Sequence, residues 1–137
     1  MSSNLSGYLG NKFCRWLNNQ AAMPSSPSAL YIALFNGNPK SGGTEVGSTV
    51  NGSNPRQVVT FAALASGVLH TLTSDVAVDW GNSAGTAPLS HIGLFDASSS
   101  GNLLASKPVF GGPFVVHTGQ PVKFLLGAIT FNIGADT

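Results

Sequence analysis

The sequence is short of charge. Of its 137 residues only 8% are Asp, Glu, Lys or Arg, against about 25% in an ordinary soluble domain. The bases Lys12, Arg15, Lys40, Arg56, Lys107 and Lys123 are scattered, and the formal net charge is +1. That spread speaks against a basic patch for nucleic acid or an anionic membrane surface, so neither is expected as a partner. A single cysteine, Cys14, excludes an intramolecular disulfide and suits folding in a reducing compartment. No apolar run approaches the roughly 18 residues of a membrane-crossing helix. The opening residues, Met1 to Tyr8, lack the basic and continuous apolar regions of a signal peptide, so none is expected.

What fills the chain instead is Gly, Ser, Asn and Thr between hydrophobic segments. Hydrophobic residues make up 42%, too many for wholesale disorder. The length suits one domain with a core large enough to fold without metal or disulfide. A soluble monomer ordinarily keeps a charged, patch-free surface. A domain without one is expected to cover surface against other subunits, which points to an assembly protein.

The first segment reads as an amphipathic helix. Leu5, Tyr8, Leu9, Phe13, Trp16 and Leu17 recur at three- and four-residue spacing and form one apolar stripe. Ser3 or Asn4 is the expected N-cap, and Pro24 and Pro27 the expected stop. Such a stripe can cover the end of a sheet or dock as an arm on a neighbour.

Beyond it the period becomes two. Leu30, Ile32 and Leu34 share one face of a strand over 29–35. Residues 36–55 read as a long polar loop, of the kind that is usually functional, and its isolated Val46 and Val50 are candidate anchors on a partner. Further strands are expected over 57–63, 68–72, 76–80, 89–95, from Leu103, over 114–117, 122–125 and from Ile129. About eight short strands with turn signals between them predict an all-β fold, a single β-sandwich or jelly-roll-like domain. The expected division is a helical arm over 1–24 and a sandwich over 25–137. One echo stands out: Leu30-Tyr31-Ile32-Ala33-Leu34-Phe35-Asn36 parallels Ser90-His91-Ile92-Gly93-Leu94-Phe95-Asp96.

Several motifs imitate chemistry. Gly81-Asn82-Ser83-Ala84-Gly85 matches G-x-S-x-G, but no helix is expected after it, as a nucleophile elbow requires. His70, His91 and His117 are too dispersed for a metal site. Asp75 and Asp79, four apart on a strand, lie about 13 Å from each other, wider than a glycosidase pair needs. Asp96 to Asn102 imitates the start of a calcium loop, yet its twelfth position is Lys107 rather than Glu. Catalytic, cofactor and metal sites are therefore not expected.

Several segments, in order, resemble a family of small tailed-bacteriophage virion proteins, often labelled tail-fibre proteins, some of them similar to the cement or decoration proteins of phage heads. They are Leu5 to Lys12, Leu30 to Phe35, Gly43-Thr44-Glu45-Val46, Arg56-Gln57-Val58-Val59-Thr60-Phe61, Trp80-Gly81, His91 to Asp96 and Gly101-Asn102-Leu103-Leu104. An aromatic residue usual in that family shortly before Arg56 is replaced here by Asn54-Pro55. The resemblance implies a non-enzymatic cement protein of the capsid surface, a homotrimer bound to the major capsid protein. The alternative is a tail or tail-tip component. A carbohydrate-binding sandwich, stacking sugar on Trp80, His91 or loop aromatics, is the reading from a different class. The candidate interface residues are Tyr8, Phe13, Trp16, Val46 and Val50.

Overall fold

A computed structural model describes residues 4–64, 71–109 and 111–132. The echo noted in the sequence is the middle of the molecule. β1 (Leu30–Asn36) and β7 (His91–Phe95) are adjacent antiparallel strands, with Ile32 opposite Leu94, Ala33 opposite Gly93 and Leu34 opposite Ile92. β8 (Leu103–Pro108) extends the sheet beyond β7. On the other side of β1, β2 (Thr44–Glu45) pairs with its end and β3 (Gln57–Val59) with its start.

Three two-stranded pairings build the facing layer. They are β4 (Thr71–Thr73) with β11 (Thr130–Asn132), β5 (Val78–Asn82) with β10 (Pro121–Phe124), and β6 (Ala87–Leu89) with β9 (Phe114–Val116). Alternation sends Ile32, Leu34, Ile92 and Leu94 into one core with Val78, Trp80, Leu89, Val122 and Phe131 from these pairs. The fold is thus all-β and sandwich-like, with an N-terminal helix, α1 (Gly7–Leu17).

The second face of the β1–β7 pair is also covered. Phe35 and Phe95 stack with centroids 5.9 Å apart and planes 7° from parallel. Gly93 lies between them, where a Cβ would come within 3.0 Å of the Phe95 ring and 3.3 Å of Phe35. Ala33 completes this smaller cluster, and Leu103 packs against it.

Five expectations are corrected. The helix is capped by Ser6, whose Oγ accepts from Leu9 N, because residues 4–6 are drawn out along the sheet: Leu5 bridges Ala105, and Asn4 N donates to Asn132 O. It stops at Leu17, before the prolines, where Asn19 turns left-handed (φ 58°) and Gln20 N returns to Arg15 O. The stretch 36–55 is not an open loop. It holds a 3-10 turn (Pro39–Ser41), β2 and a one-turn helix α2 (Gly47–Val50).

The strand expected over 57–63 ends at Val59, because the chain changes partners at Thr60. Asp75 N donates to Thr60 O, and Ala62 N to Thr73 O. The strand expected over 89–95 is broken at Ser90, whose Oγ accepts from Gly37 N. Part of the strand expected over 68–72, together with His70 and Ile133, lies outside the described residues.

Candidate assembly surface

Helix α1 is rooted at one end only. Tyr8 and Leu9 pack against the main core, and the helix contacts β8. At 1.5 Å per residue Leu17 lies about 12 Å further along the axis than Leu9. The stripe therefore outruns its support: Phe13, Trp16 and Leu17 are 45%, 50% and 63% exposed. Phe13 and Trp16 stack on each other at 5.9 Å. Lys12 Nζ sits 5.6 Å over the Tyr8 ring, and Arg15 occupies the last turn. Cys14, exposed in the same turn, carries a free thiol.

The other two candidates are placed differently. Val50 is 1% exposed and Val46 is also buried, both within the main core. Val46 N donates to Leu34 O, and α2 then directs Val50 inward. Gly47 permits this crossing, since a Cβ there would collide with the Pro55 carbonyl. Their side chains serve the chain's own core and are not presented to a partner. The structure brings Tyr8, Phe13 and Trp16 together on one helix and leaves both valines out of that surface.

Other exposed apolar side chains were not singled out by sequence. Val58, Phe114, Val115, Leu125 and Leu126 are all exposed. Two of them had a legible signal: Leu125 and Leu126 directly precede Gly127, which has positive φ and marks a turn.

The residues of the motifs that imitate chemistry are engaged in local hydrogen bonds. The Ser83 hydroxyl is buried and donates to Gly85 O at 2.6 Å, while β6 rather than a helix follows. Asp79 accepts from Gly81 N, and Asp75 from Thr60 Oγ1. His91 bonds the neighbouring Ser90 Oγ, and burial pushes its pKa down. Trp80 is only 2% exposed, its indole N–H donating to Pro55 O and its edge against Phe124, so it offers no face to a sugar. Among the described residues no group of three His, Cys, Asp or Glu could hold a metal ion.

Arg56 is the most heavily bonded cation. Its Nε and Nη2 donate to the two oxygens of Glu45, both at 3.0 Å, and its Nη1 to Ala97 O and Ser100 O. Its guanidinium carbon lies 3.8 Å from the Phe95 ring centroid. This planar fork between a carboxylate and an aromatic face is geometry that lysine cannot supply. The segments 43–46, 56–61, 91–96 and 101–104, remote in sequence, converge here. Asp96 closes the last of them by accepting from Asn102 N and Nδ2. The hydrogen bond from Asn102 N, first, and then its side chain and Arg56 hold the Asp96 carboxyl below its usual range against the opposing effect of burial.

The family described as podophage GP4 fiber I protein gp80 matches residues 4–132. The chain belongs to that family. No curated protein matches the chain significantly. As a member of this podophage fibre family the protein is a structural component of the phage virion. The match runs from Asn4, the first described residue and one tied to the sheet, through β11, and so takes in both the Arg56 clamp and the bare helix tip.

Proposed function

We propose that the protein is a non-enzymatic subunit of the fibre apparatus of the virion, fixed to neighbouring subunits through the tip of α1. The observation that carries this reading is the stacked Phe13–Trp16 pair with Leu17, large apolar side chains exposed together on a helix whose root is firmly held. Clustered exposed apolar residues mark a surface that another protein covers. The family description supports the fibre location. The assignment of Ser83, Asp75 and Asp79 to local turn and strand bonds favours a structural over a catalytic role.

A second reading is a capsid cement or decoration protein, a homotrimer bound to the major capsid protein at the head surface. It is favoured by the sandwich-like architecture of the described residues, whose sheets are not arranged as the repeating elements of a fibre shaft. Such a protein would stabilise the shell by binding only its assembled state.

Copy number separates the two. Heads and tails are purified apart, and the chain is quantified by mass spectrometry against the major capsid protein. A small fixed number of copies travelling with tails is the expected result. A copy number at a fixed fraction of the capsid protein, in heads alone, would establish the cement role. Loss from both would overturn the virion-subunit reading.

A further inference from the structure

The tip of α1 carries two kinds of information about what covers it. Phe13, Trp16 and Leu17 require an apolar surface. Lys12 and Arg15 beside them, on a helix that has no acid, require a surface that is acidic or neutral. Among the described residues, two clusters of apolar side chains lie at the surface away from α1, and their charges differ.

One is the groove between β9 and β10, lined by Phe114, Val115, Pro121 and Val122. Its one charged residue is Lys123. Seating α1 there would set Lys12 and Arg15 against a third cation, and like charges across an interface are strongly disfavoured. The other surface is formed where the turn after β10 meets the segment before β5. Gly127 N donates to Ser74 O and Ser74 N to Ile129 O, which ties the turn that follows Leu125 and Leu126 to the residue that precedes Asp75 and Val76. Leu125 and Leu126 are 65% and 68% exposed, and Val76 is also exposed. Asp79 stands opposite Lys123 on the adjoining strand pair. Among the described residues, the charged groups that chain continuity and strand pairing bring to this patch are Asp75, Asp79 and Lys123, a net negative set.

Glu45 and Asp96, the other described acids, are engaged by Arg56 and Asn102. Asp75 and Asp79 are hydrogen-bonded, but neither forms an ion pair among the described residues. Of the two clusters, this is the one whose charge matches the helix tip. It lies on different elements from those that root α1, which packs on β8.

We propose that α1 of one copy docks on the Val76, Leu125 and Leu126 patch of a second copy, with Lys12 and Arg15 facing Asp75 and Asp79. The contact is heterologous: each copy offers a helix to one neighbour and a patch to another. Association of this kind continues until a ring closes or a filament extends. It deepens the virion-subunit reading, and rests on it, by making a second copy of this chain the first partner of the helix.

The test is sedimentation velocity of the purified full chain over a concentration series reaching about 1 mM, where even weak pairs form. Wild type should associate with rising concentration. The Lys12→Glu/Arg15→Glu and Asp75→Lys/Asp79→Lys variants should each associate at least about tenfold more weakly, because attraction becomes repulsion. Combining all four substitutions should restore association, since the charges are then exchanged across the same contact. All four positions project from the surface or its margin, and circular dichroism melts confirm that each variant folds.

A wild type that stays monomeric throughout overturns the proposal and leaves the helix to a different virion subunit. Equal weakness of the four-substitution variant and the two doubles also overturns it. Neither outcome disturbs the copy-number measurement. A chain found with tails but monomeric in solution keeps its virion role and loses this contact.

Discussion

Two regions of this molecule are built from the same pieces and used in opposite ways. Around Arg56 a cation lies on the face of Phe95, and four chain segments close over the pair. At the tip of α1 the bases Lys12 and Arg15 accompany the stacked rings of Phe13 and Trp16, and no described segment closes over them. In a chain with 8% charged residues each cation is informative. What decides its use is topology. Arg56 sits where β2, β3, β7 and the turn after β7 meet, whereas α1 runs past the edge of the sheet that roots it. Cation and aromatic together are an internal clamp in the first place and an outward face in the second.

The comparison is broken most severely from the clamp side. Arg56→Ala leaves Glu45, Ala97 O and Ser100 O without their donor. Removing one member of a fully buried pair costs about 3 kcal/mol or more; here the Arg56 side chain is 6% exposed and Glu45 30%, so the loss approaches that figure from below. Urea denaturation should show a fall of that order, and Arg56→Lys should recover only part of it, since a lysine cannot bridge both carboxylate oxygens and two carbonyls in one plane.

Next in size is Gly47→Ala. Its Cβ would meet the Pro55 carbonyl and force α2 away from the core, an overpacking that costs about 2 kcal/mol and lowers the thermal midpoint accordingly. The reverse holds at the tip. Trp16→Ser should leave the stability of the isolated chain within about 0.5 kcal/mol of wild type, as expected for an exposed side chain, while reducing its incorporation into particles. A large loss of stability would mean that the tip is packed within its own chain after all.

The fold class, the central strands and the helix were legible because their signals are periodic. Leu30, Ile32 and Leu34 alternate, and Tyr8, Phe13 and Trp16 recur at helical spacing. The echo between β1 and β7 was legible as well: the strands pair antiparallel about Ala33 and Gly93, so Phe35 and Phe95 stand at opposite ends of the pairing, across from His91 and Tyr31, and their rings meet over Gly93. Two features were hidden for one reason. Val46 and Val50 stand alone in polar sequence, and only the crossing of α2 beside Pro55 turns them inward. Likewise Thr60 looks like the middle of a strand, and only the competing carbonyl and amide groups of 73–75 show that the chain changes partners there. Isolated apolar residues carry no period, so their direction is set by tertiary contacts. Of the candidate surface, the helix was readable on those terms; Gly127 marked the turn after Leu125 and Leu126, but nothing periodic gave away their exposure.

The finest way to sharpen the comparison is pH, because the clamp contains a group whose titration responds to it. The Asp96 carboxyl is held below its ordinary range, first by the Asn102 backbone N–H. Between the folded and unfolded values the unfolded chain binds more protons, so stability rises with pH. The contribution is fully present above the unfolded value, about 3.9, and is lost as pH falls through the folded one. His91 acts in the same direction at higher pH. Burial lowers its pKa, so acidification from about 6.5 downward protonates the unfolded chain first. Urea midpoints measured from neutral pH downward should therefore decline in two stages. His91→Gln should remove the upper stage alone, and Asp96→Asn the lower. Trp16→Ser, at the other region, should alter neither. A single decline untouched by Asp96→Asn would place the acid sensitivity outside the clamp.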